Sequence, residues 1–289
     1  MMPRLLITGL SGQVGSALAR AAAGRFEVTG SFFRQPTDHP GGFHWDLRKD
    51  IEPVLDRYRP DLIVHTAALS APAHCEQHPD DAHRIHTLAT RDMARWAQRR
   101  QAYLIFLSTD LVFDGRKGDY TETDPVNPLS VYGHTKRSGE TACLELCSTA
   151  AVIRPALIYG RSRRGDRGAD EQIRHALSDG RTLTLFVDEF RTPVWLDDLV
   201  HVLLHFLGRR ITGLFHVGGP RRLSRWEFGW LVARAAAMPT DHIRPASLET
   251  FIGAPPRSPD VSLDCTRLTT EIPFALQSPE EVLFQHQPR

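Results

Sequence analysis

Leu5-Leu-Ile-Thr-Gly-Leu-Ser-Gly-Gln-Val-Gly-Ser-Ala-Leu-Ala19 joins a short apolar run, a glycine-rich turn and the first turns of a helix. An apolar run of this length reads as a strand, and the small and apolar residues after Val14 recur at helical spacing. Between them stand Gly9, Gly12 and Gly15. The first permits a tight turn, the second lets backbone amides approach a pyrophosphate, and the third allows the helix to pack closely on the strand. A triple of glycines placed between a strand and a helix is a dinucleotide-binding pattern. Gly9, Ser11, Gly12, Gln13, Val14 and Gly15 are therefore the candidate cradle for a cofactor phosphate.

Outward from this unit the first half of the chain keeps alternating apolar runs with helical stretches. Strands are expected at Leu5 to Thr8, Phe26 to Phe32, Asp61 to Thr66, Tyr103 to Ser108 and Ala151 to Arg154. Helices are expected at Val14 to Ala23, Ile51 to Tyr58, Pro79 to Arg99 and Val131 to Cys147. Strand followed by helix, repeated, predicts an α/β fold: a doubly wound parallel Rossmann sheet covered on both faces. Beyond Tyr159 the rhythm changes. Glu171 to Leu177 reads as helix and Leu183 to Val187 as extended, opening a smaller C-terminal substrate-binding lobe. Val194 to Leu207 and Gly213 to Val217 are expected to return to the sheet, with Ser224 to Ala237 and Pro245 to Pro273 completing the cap. The expected division is a dinucleotide-binding domain over 1–158, with 190–218 returning to it, and a lobe over 159–289.

The end of the second strand separates the two nicotinamide cofactors. NAD sites usually carry an acid there for the ribose hydroxyls, whereas NADP sites carry an arginine for the 2′-phosphate. Here the strand ends Gly30-Ser-Phe-Phe-Arg34. Arg34 argues for NADPH; Asp38, slightly further on, leaves NADH open. Asp46 and Leu47, after a short third strand, are placed to border the adenine. Ala67, Ala68 and Ser70, after the fourth, are placed along the nicotinamide ribose.

Chemistry is expected beyond the fifth strand, at Ser108-Thr-Asp-Leu-Val-Phe-Asp-Gly115 and Val131-Tyr-Gly-His-Thr-Lys136. Tyr132 and Lys136 lie four apart and so share one face of a helix. An ammonium there favours the ionised phenol and makes it a usable proton donor. Of the 35 Lys and Arg residues only Lys49, Lys117 and Lys136 are lysine, so a compact ammonium stands where the chain elsewhere prefers the guanidinium. The Thr109 hydroxyl can bond a reacting carbonyl as charge develops on its oxygen, although Ser-Thr-Asp also suits a turn cap. Thr109, Tyr132 and Lys136 are the candidate catalytic residues, the last two also touching the cofactor.

With these motifs the chain resembles the extended short-chain dehydrogenase/reductase family, and within it the dTDP-4-dehydrorhamnose reductase branch that binds nucleotide sugars. Further carriers are Arg191-Thr-Pro-Val-Trp-Leu-Asp-Asp-Leu199, Gly213-Leu-Phe-His-Val-Gly-Gly219 and Arg257-Ser-Pro-Asp-Val-Ser-Leu263. The resemblance implies an NADPH-dependent reduction of a ketone, most simply a nucleotide-linked 4-keto-6-deoxy sugar. It implies that Asp110 touches substrate with Leu157 and Arg191, and that Arg154-Pro155 closes over the nicotinamide. Three departures stand out. Leu111 and Leu157 replace aromatics common in the branch, which leaves the sugar and nucleotide open. Ser16-Ala17 replaces an acid, so no metal and no metal-bridged dimer is expected. His86 replaces a helix-borne asparagine, altering either a proton relay behind Lys136 or the packing. An NAD-dependent sugar-nucleotide epimerase uses the same three residues and is an alternative. A second comes from residues 213–263, which also resemble the regulatory subunit of methionine adenosyltransferase, a non-catalytic cofactor binder that docks to a partner enzyme.

Composition bounds the rest. With 34 acids against 35 bases the net charge is +1, and there is no lysine-rich run, so no nucleic-acid partner is expected. Arg161-Ser-Arg-Arg-Gly-Asp-Arg167 is the one basic cluster, read either as a solvated loop or as a flap whose arginines meet substrate phosphates. No apolar run approaches the roughly 20 residues that cross a bilayer, and Met1-Met-Pro-Arg4 leads directly into a strand; a cytoplasmic protein is expected. Cys75, Cys143, Cys147 and Cys265 form no disulfide framework. His74, Cys75, His78, His83 and His86 match no zinc spacing. By analogy of fold, Pro79 to Arg99 and Val131 to Cys147 are candidates to pair into a homodimer.

Overall fold

The computed structural model describes residues 2–253 and 256–285. A seven-stranded parallel sheet runs through β1 (Arg4–Thr8), β2 (Glu27–Phe32), β3 (Gly42–His44), β4 (Leu62–His65), β5 (Tyr103–Leu107), β6 (Ala150–Pro155) and, later in the chain, β11 (Gly213–Val217), in the order β11-β6-β5-β4-β1-β2-β3. The chain winds outward from β1 to β3, then crosses back to β4 and winds the other way. The reversal opens a crevice at the carboxyl ends of β1 and β4, the place where this topology holds ligands.

Strand periodicity explains the two cores. Leu5, Ile7, Leu62, Val64 and Ile105 point to one face and pack against α1 (Gln13–Ala22) and α8 (Leu196–Arg209). Leu6, Ile63, Leu104, Phe106 and Val152 point to the other, against α5 (Ala89–Arg100) and α6 (Val131–Leu146). Buried on both faces, the central strands are apolar at nearly every position, as parallel strands must be. The smaller α2 (Glu52–Tyr58) and α3 (Pro72–Gln77) complete the β3–β4 and β4–β5 connections.

The helix expected at Pro79 to Arg99 is interrupted. It runs as α4 (Pro79–His83), a π-helical stretch Arg84–Leu88, and then α5. The Thr90 hydroxyl bonds the His86 carbonyl at 2.6 Å within this stretch. Such bulges recur at functional sites, and this one carries His86.

The remaining elements are β7 (Ile158–Tyr159), α7 (Ala169–Ser178), β8 (Leu183–Phe186), β9 (Phe190–Arg191), β10 (Val194–Trp195), β12 (Leu223–Ser224), α9 (Arg225–Ala235), β13 (Ile243–Ala246), α10 (Thr266–Glu271) and α11 (Pro279–Gln285). Tyr159, Ile173, Phe228, Val232 and Ile243 form an apolar core separate from those of the sheet. The stretch Val194 to Leu207 returns to the sheet as the covering helix α8. One expectation needs correction. Pro245 to Pro273 is only partly cap: β13 pairs with β8, but Leu268 and Ile272 are buried in the sheet core, and Leu263 bridges Tyr120. Ala254 and Pro255 of that stretch lie outside the described residues, as do Met1 and residues 286–289.

Candidate active site

A cleft of about 790 Å³ follows the carboxyl ends of the strands, and the residues assigned above to cofactor, catalysis or substrate line it, except Arg154 and Asp38. The glycine turn forms one wall. Gly9 has φ 73°, and a Cβ there would meet the Ala67 backbone at 3.0 Å. A Cβ on Gly15 would lie 2.3 Å from the Gly9 carbonyl oxygen, so only glycine lets α1 start this close to β1. Helix α1 begins without a side-chain cap, leaving its first turn of amides and its dipole open to an anion. Behind the turn, the Thr8 hydroxyl takes the Ala67 amide at 3.1 Å and meets His65 Nδ1 at 2.7 Å, which fixes Ala67 and Ala68 against the cradle. These features fit a dinucleotide.

At the adenine end Arg34 is exposed and lines the cleft. Asp46 does not face the cleft as a free acceptor. Both its oxygens bind Arg48 at 2.9 Å, and the bonds from Arg48 hold its carboxyl below the usual value. Arg48 also reaches Asp81 and lies over the Phe33 ring, 4.9 Å from its centre. Arg48 and Phe33 escaped the sequence reading; nothing in their spacing marks them. Asp38 does not line the cleft. It is bound to Arg163 at 2.7 Å.

At the chemical end Thr109 caps a short turn, accepting from the Leu111 amide at 3.1 Å, and donates to Asp110 Oδ1 at 3.1 Å. Ser130 caps α6 through the Gly133 amide. A Cβ at Gly133 would lie 2.4 Å from the Leu111 carbonyl, so glycine there brings Tyr132 against Thr109. Burial, reinforced by Asp110, raises the phenol of Tyr132 above its usual range, and a hydrogen bond with Thr109 only partly offsets this. Lys136 was expected to pull it down. In the structure the lysine ammonium is buried, donates to the Leu107 carbonyl and sits 4.1 Å from the centre of the Phe106 ring. Burial lowers its own pKa to about 7, with Glu140 and Cys75 pulling the other way. The phenol is therefore neutral and holds its proton.

His86 ties the segment after β4 to α6. It is fully buried; Nε2 accepts from the Leu69 amide at 3.0 Å, which leaves Nδ1 to donate to Thr135 Oγ1 at 2.8 Å. Both nitrogens are spent, burial keeps the ring neutral, and its face meets Tyr132 edge-on at 5.5 Å.

Arg154 corrects another expectation. Only Pro155 lines the cleft. The Arg154 guanidinium turns into the fold, gripping Glu140 at 2.7 and 2.8 Å, and Ser108 donates to the same carboxylate at 2.6 Å. This pair lies behind the carboxyl end of β5 and fixes Ser108 next to Thr109.

Towards the second lobe, Asp110 Oδ2 is buried without a hydrogen-bond partner and lies 3.9 Å from Arg191. Arg191 and Arg257 both bind Glu189, at 2.9 Å each, and Arg225 lines the same wall with its pKa lowered to about 10 by burial. Sequence reading found Asp110 and Arg191 and missed Glu189 and Arg225, which lie in segments without a motif. Leu111 and Leu157 contribute apolar surface between the two ends.

The chain is 31% identical over 274 residues to methionine adenosyltransferase 2 subunit beta of Bos taurus, covering 92% of this chain and 82% of that one. Its fold matches a dTDP-4-dehydrorhamnose reductase from Bacillus anthracis solved with NADP, at TM-score 0.88 and 24% identity over 99% of this chain and 98% of that one. It also matches a hypothetical dTDP-4-dehydrorhamnose reductase from Sulfolobus tokodaii, at TM-score 0.83 and 30% identity, covering 93% and 95%. Residues 2–285 match the family described as RmlD substrate binding domain, and the chain belongs to that family.

Proposed function

We propose that the protein is an NADPH-dependent reductase of a nucleotide-linked keto sugar, most simply a 4-keto-6-deoxy hexose. The observation that carries this is the convergence of Thr109, Tyr132 and Lys136 on the same cleft as the glycine cradle and Arg34. The NADP bound by the Bacillus anthracis relative and the reductase name of the Sulfolobus tokodaii relative support it. In this reading residues 1–158 with 190–218 bind the dinucleotide, and 159–289 mainly the sugar nucleotide. Bound NADPH supplies hydride to the ketone carbon. Tyr132, kept neutral by burial, gives its proton to the ketone oxygen. Thr109, its hydroxyl turning from Asp110 Oδ1, donates to that oxygen as charge grows, and Asp110 Oδ2, which has no hydrogen-bond partner in the structure, accepts from a sugar hydroxyl. Lys136, one helical turn on, stabilises the phenolate left behind. Two copies pairing α5 and α6 into a homodimer, in the cytoplasm, complete the proposal. No described helix is long and apolar enough to cross a membrane.

The mechanism fixes a pH dependence. Lys136 is an ammonium below about 7 and neutral above it. If its charge stabilises the phenolate, kcat/KM falls as pH rises through about 7, and Lys136→Met lowers the rate and removes that limb. A pH–rate profile of both proteins checks this; an unchanged limb in the variant would assign it elsewhere. Stability moves oppositely. The folded pKa lies below the unfolded 10.5, so burying Lys136 costs stability fully below about 7 and nothing above 10.5.

A second reading rests on the bovine relative, named as a subunit of methionine adenosyltransferase. The chain would then bind NADPH without turnover and act by docking to an enzyme. NADPH consumption with a panel of nucleotide-linked 4-keto-6-deoxy sugars separates the two: oxidation with any of them establishes the reductase, and tight binding with none favours the subunit.

A further inference from the structure

Residues 161–168, the basic cluster, form a wound loop with a defined shape. Glu171, buried in the first turn of α7, accepts the amides of Ser162, Arg167 and Gly168 and the Ser162 hydroxyl at 2.6 to 3.0 Å. Ser162 Oγ in turn accepts the amides of Gly165, Asp166 and Arg167 at 3.1 to 3.2 Å. The loop crosses the cofactor cleft between two attachments. Its base is tied to the glycine turn, since Gln13 Nε2 donates to the Gly160 carbonyl at 3.2 Å. Its tip rests on the segment after β2. Arg163 binds Asp38 at 2.7 Å and the Pro36 carbonyl at 2.9 Å, and Arg164 donates to the Gln35 side chain. Arg163 and Arg164 line the cleft together with Arg34.

We propose that Arg163 and Arg164 form, with Arg34, a clamp across the two lobes that binds the 2′-phosphate of NADPH. The second lobe then sets cofactor selectivity alongside the end of β2. The charges support it. Arg34, Arg163 and Arg164 bring three positive charges, Asp38 returns one, and the remaining two match a phosphate dianion. Arg48, another guanidinium lining the cleft, is occupied by Asp46 and Asp81, and Arg167 faces Asp166 at 3.9 Å. Asp38 is a weak competitor: its side chain is 97% exposed, so its bond to Arg163 forms against full hydration. A phosphate offers more charge and three acceptor oxygens to forked donors. Asp38 thus holds Arg163 at the corner until the cofactor arrives.

This proposal rests on the reading that the cleft takes NADPH and does not depend on catalysis. Its test is equilibrium binding of NADPH and NADH, which differ only in the 2′-phosphate, followed by fluorescence with the full chain. Arg163→Ala and Arg164→Ala are each expected to weaken NADPH about tenfold, roughly one charge-assisted bond, and to leave NADH within about twofold. Asp38→Asn, on an exposed side chain, is expected to tighten NADPH and leave NADH unchanged. Equal weakening of both cofactors in the arginine variants would overturn the clamp. So would no change in either, no response to Asp38→Asn, or a wild type that binds NADPH no better than NADH. If the selectivity follows this pattern while no keto sugar is reduced, the clamp stands and the reductase reading falls.

Discussion

Tyr132→Phe is expected to fold normally, bind NADPH as the wild type does, and reduce its keto sugar about a hundred- to ten-thousand-fold more slowly, the usual worth of a positioned proton donor. The substitution removes one oxygen and keeps the ring. The edge-on contact with His86 at 5.5 Å depends on the ring alone, so the packing of α6 on the π-helical stretch should survive. What disappears is the phenol beside Thr109. Asp110 is charge-paired with Arg191, and His86 has both nitrogens bonded and is held neutral. The loss should therefore fall on kcat rather than on KM for NADPH, which steady-state kinetics reads directly. A variant retaining a tenth of the wild-type rate would mean that the proton comes from water or another group.

Glu140→Ala should produce the largest loss of stability, about 3 to 5 kcal/mol, because it strands a buried guanidinium. Glu140 is inaccessible and Arg154 is 1% exposed. Their pair is completed by Ser108 and Arg137 on the carboxylate and by His216 on the guanidinium, whose Nε2 lies 3.3 Å away. Burial alone would raise the carboxyl's pKa, yet the bonds from Arg154, Ser108 and Arg137 hold it below the usual value. A depressed acid stabilises the fold above its unfolded pKa and loses that contribution as pH falls. The wild type should thus lose stability on acidification, and Glu140→Ala should lose less. Denaturant midpoints at neutral and mildly acidic pH test both statements; a change below about 1 kcal/mol would show that the pair is not required.

The sheet was legible because its strands are buried on both faces and read as unbroken apolar runs between glycines and helices. Leu5 to Thr8, Tyr103 to Ser108 and Gly213 to Val217 fall within a residue of the observed strands. The cofactor cradle and the tyrosine–lysine pair were legible for a similar reason, since their chemistry is local and the spacing itself is the signal. Residues whose roles depend on distant partners were not. Arg154 lies beside Pro155 in sequence, but Glu140 and His216 draw its side chain into the core. Asp38 stayed open as an acceptor for NADH in the sequence; in the structure Arg163, more than a hundred residues later, is bound to it. Lys136 shares a helical face with Tyr132 as its spacing requires. Its pKa is nevertheless set by desolvation between β5 and α6, which no pattern along one helix records. The π-helical stretch was invisible too, because Pro79 to Arg99 keeps good helical composition throughout.

The most direct test of the central claim is transfer of the hydride itself. NADPH carrying deuterium at the reactive nicotinamide carbon, incubated with the protein and a nucleotide-linked 4-keto-6-deoxy sugar, should yield a sugar one mass unit heavier, with the label on the former ketone carbon, and Tyr132→Phe should yield almost none. Cofactor bound but unoxidised, with no label in any keto sugar of the panel, would contradict the account and leave a cofactor-binding subunit in its place.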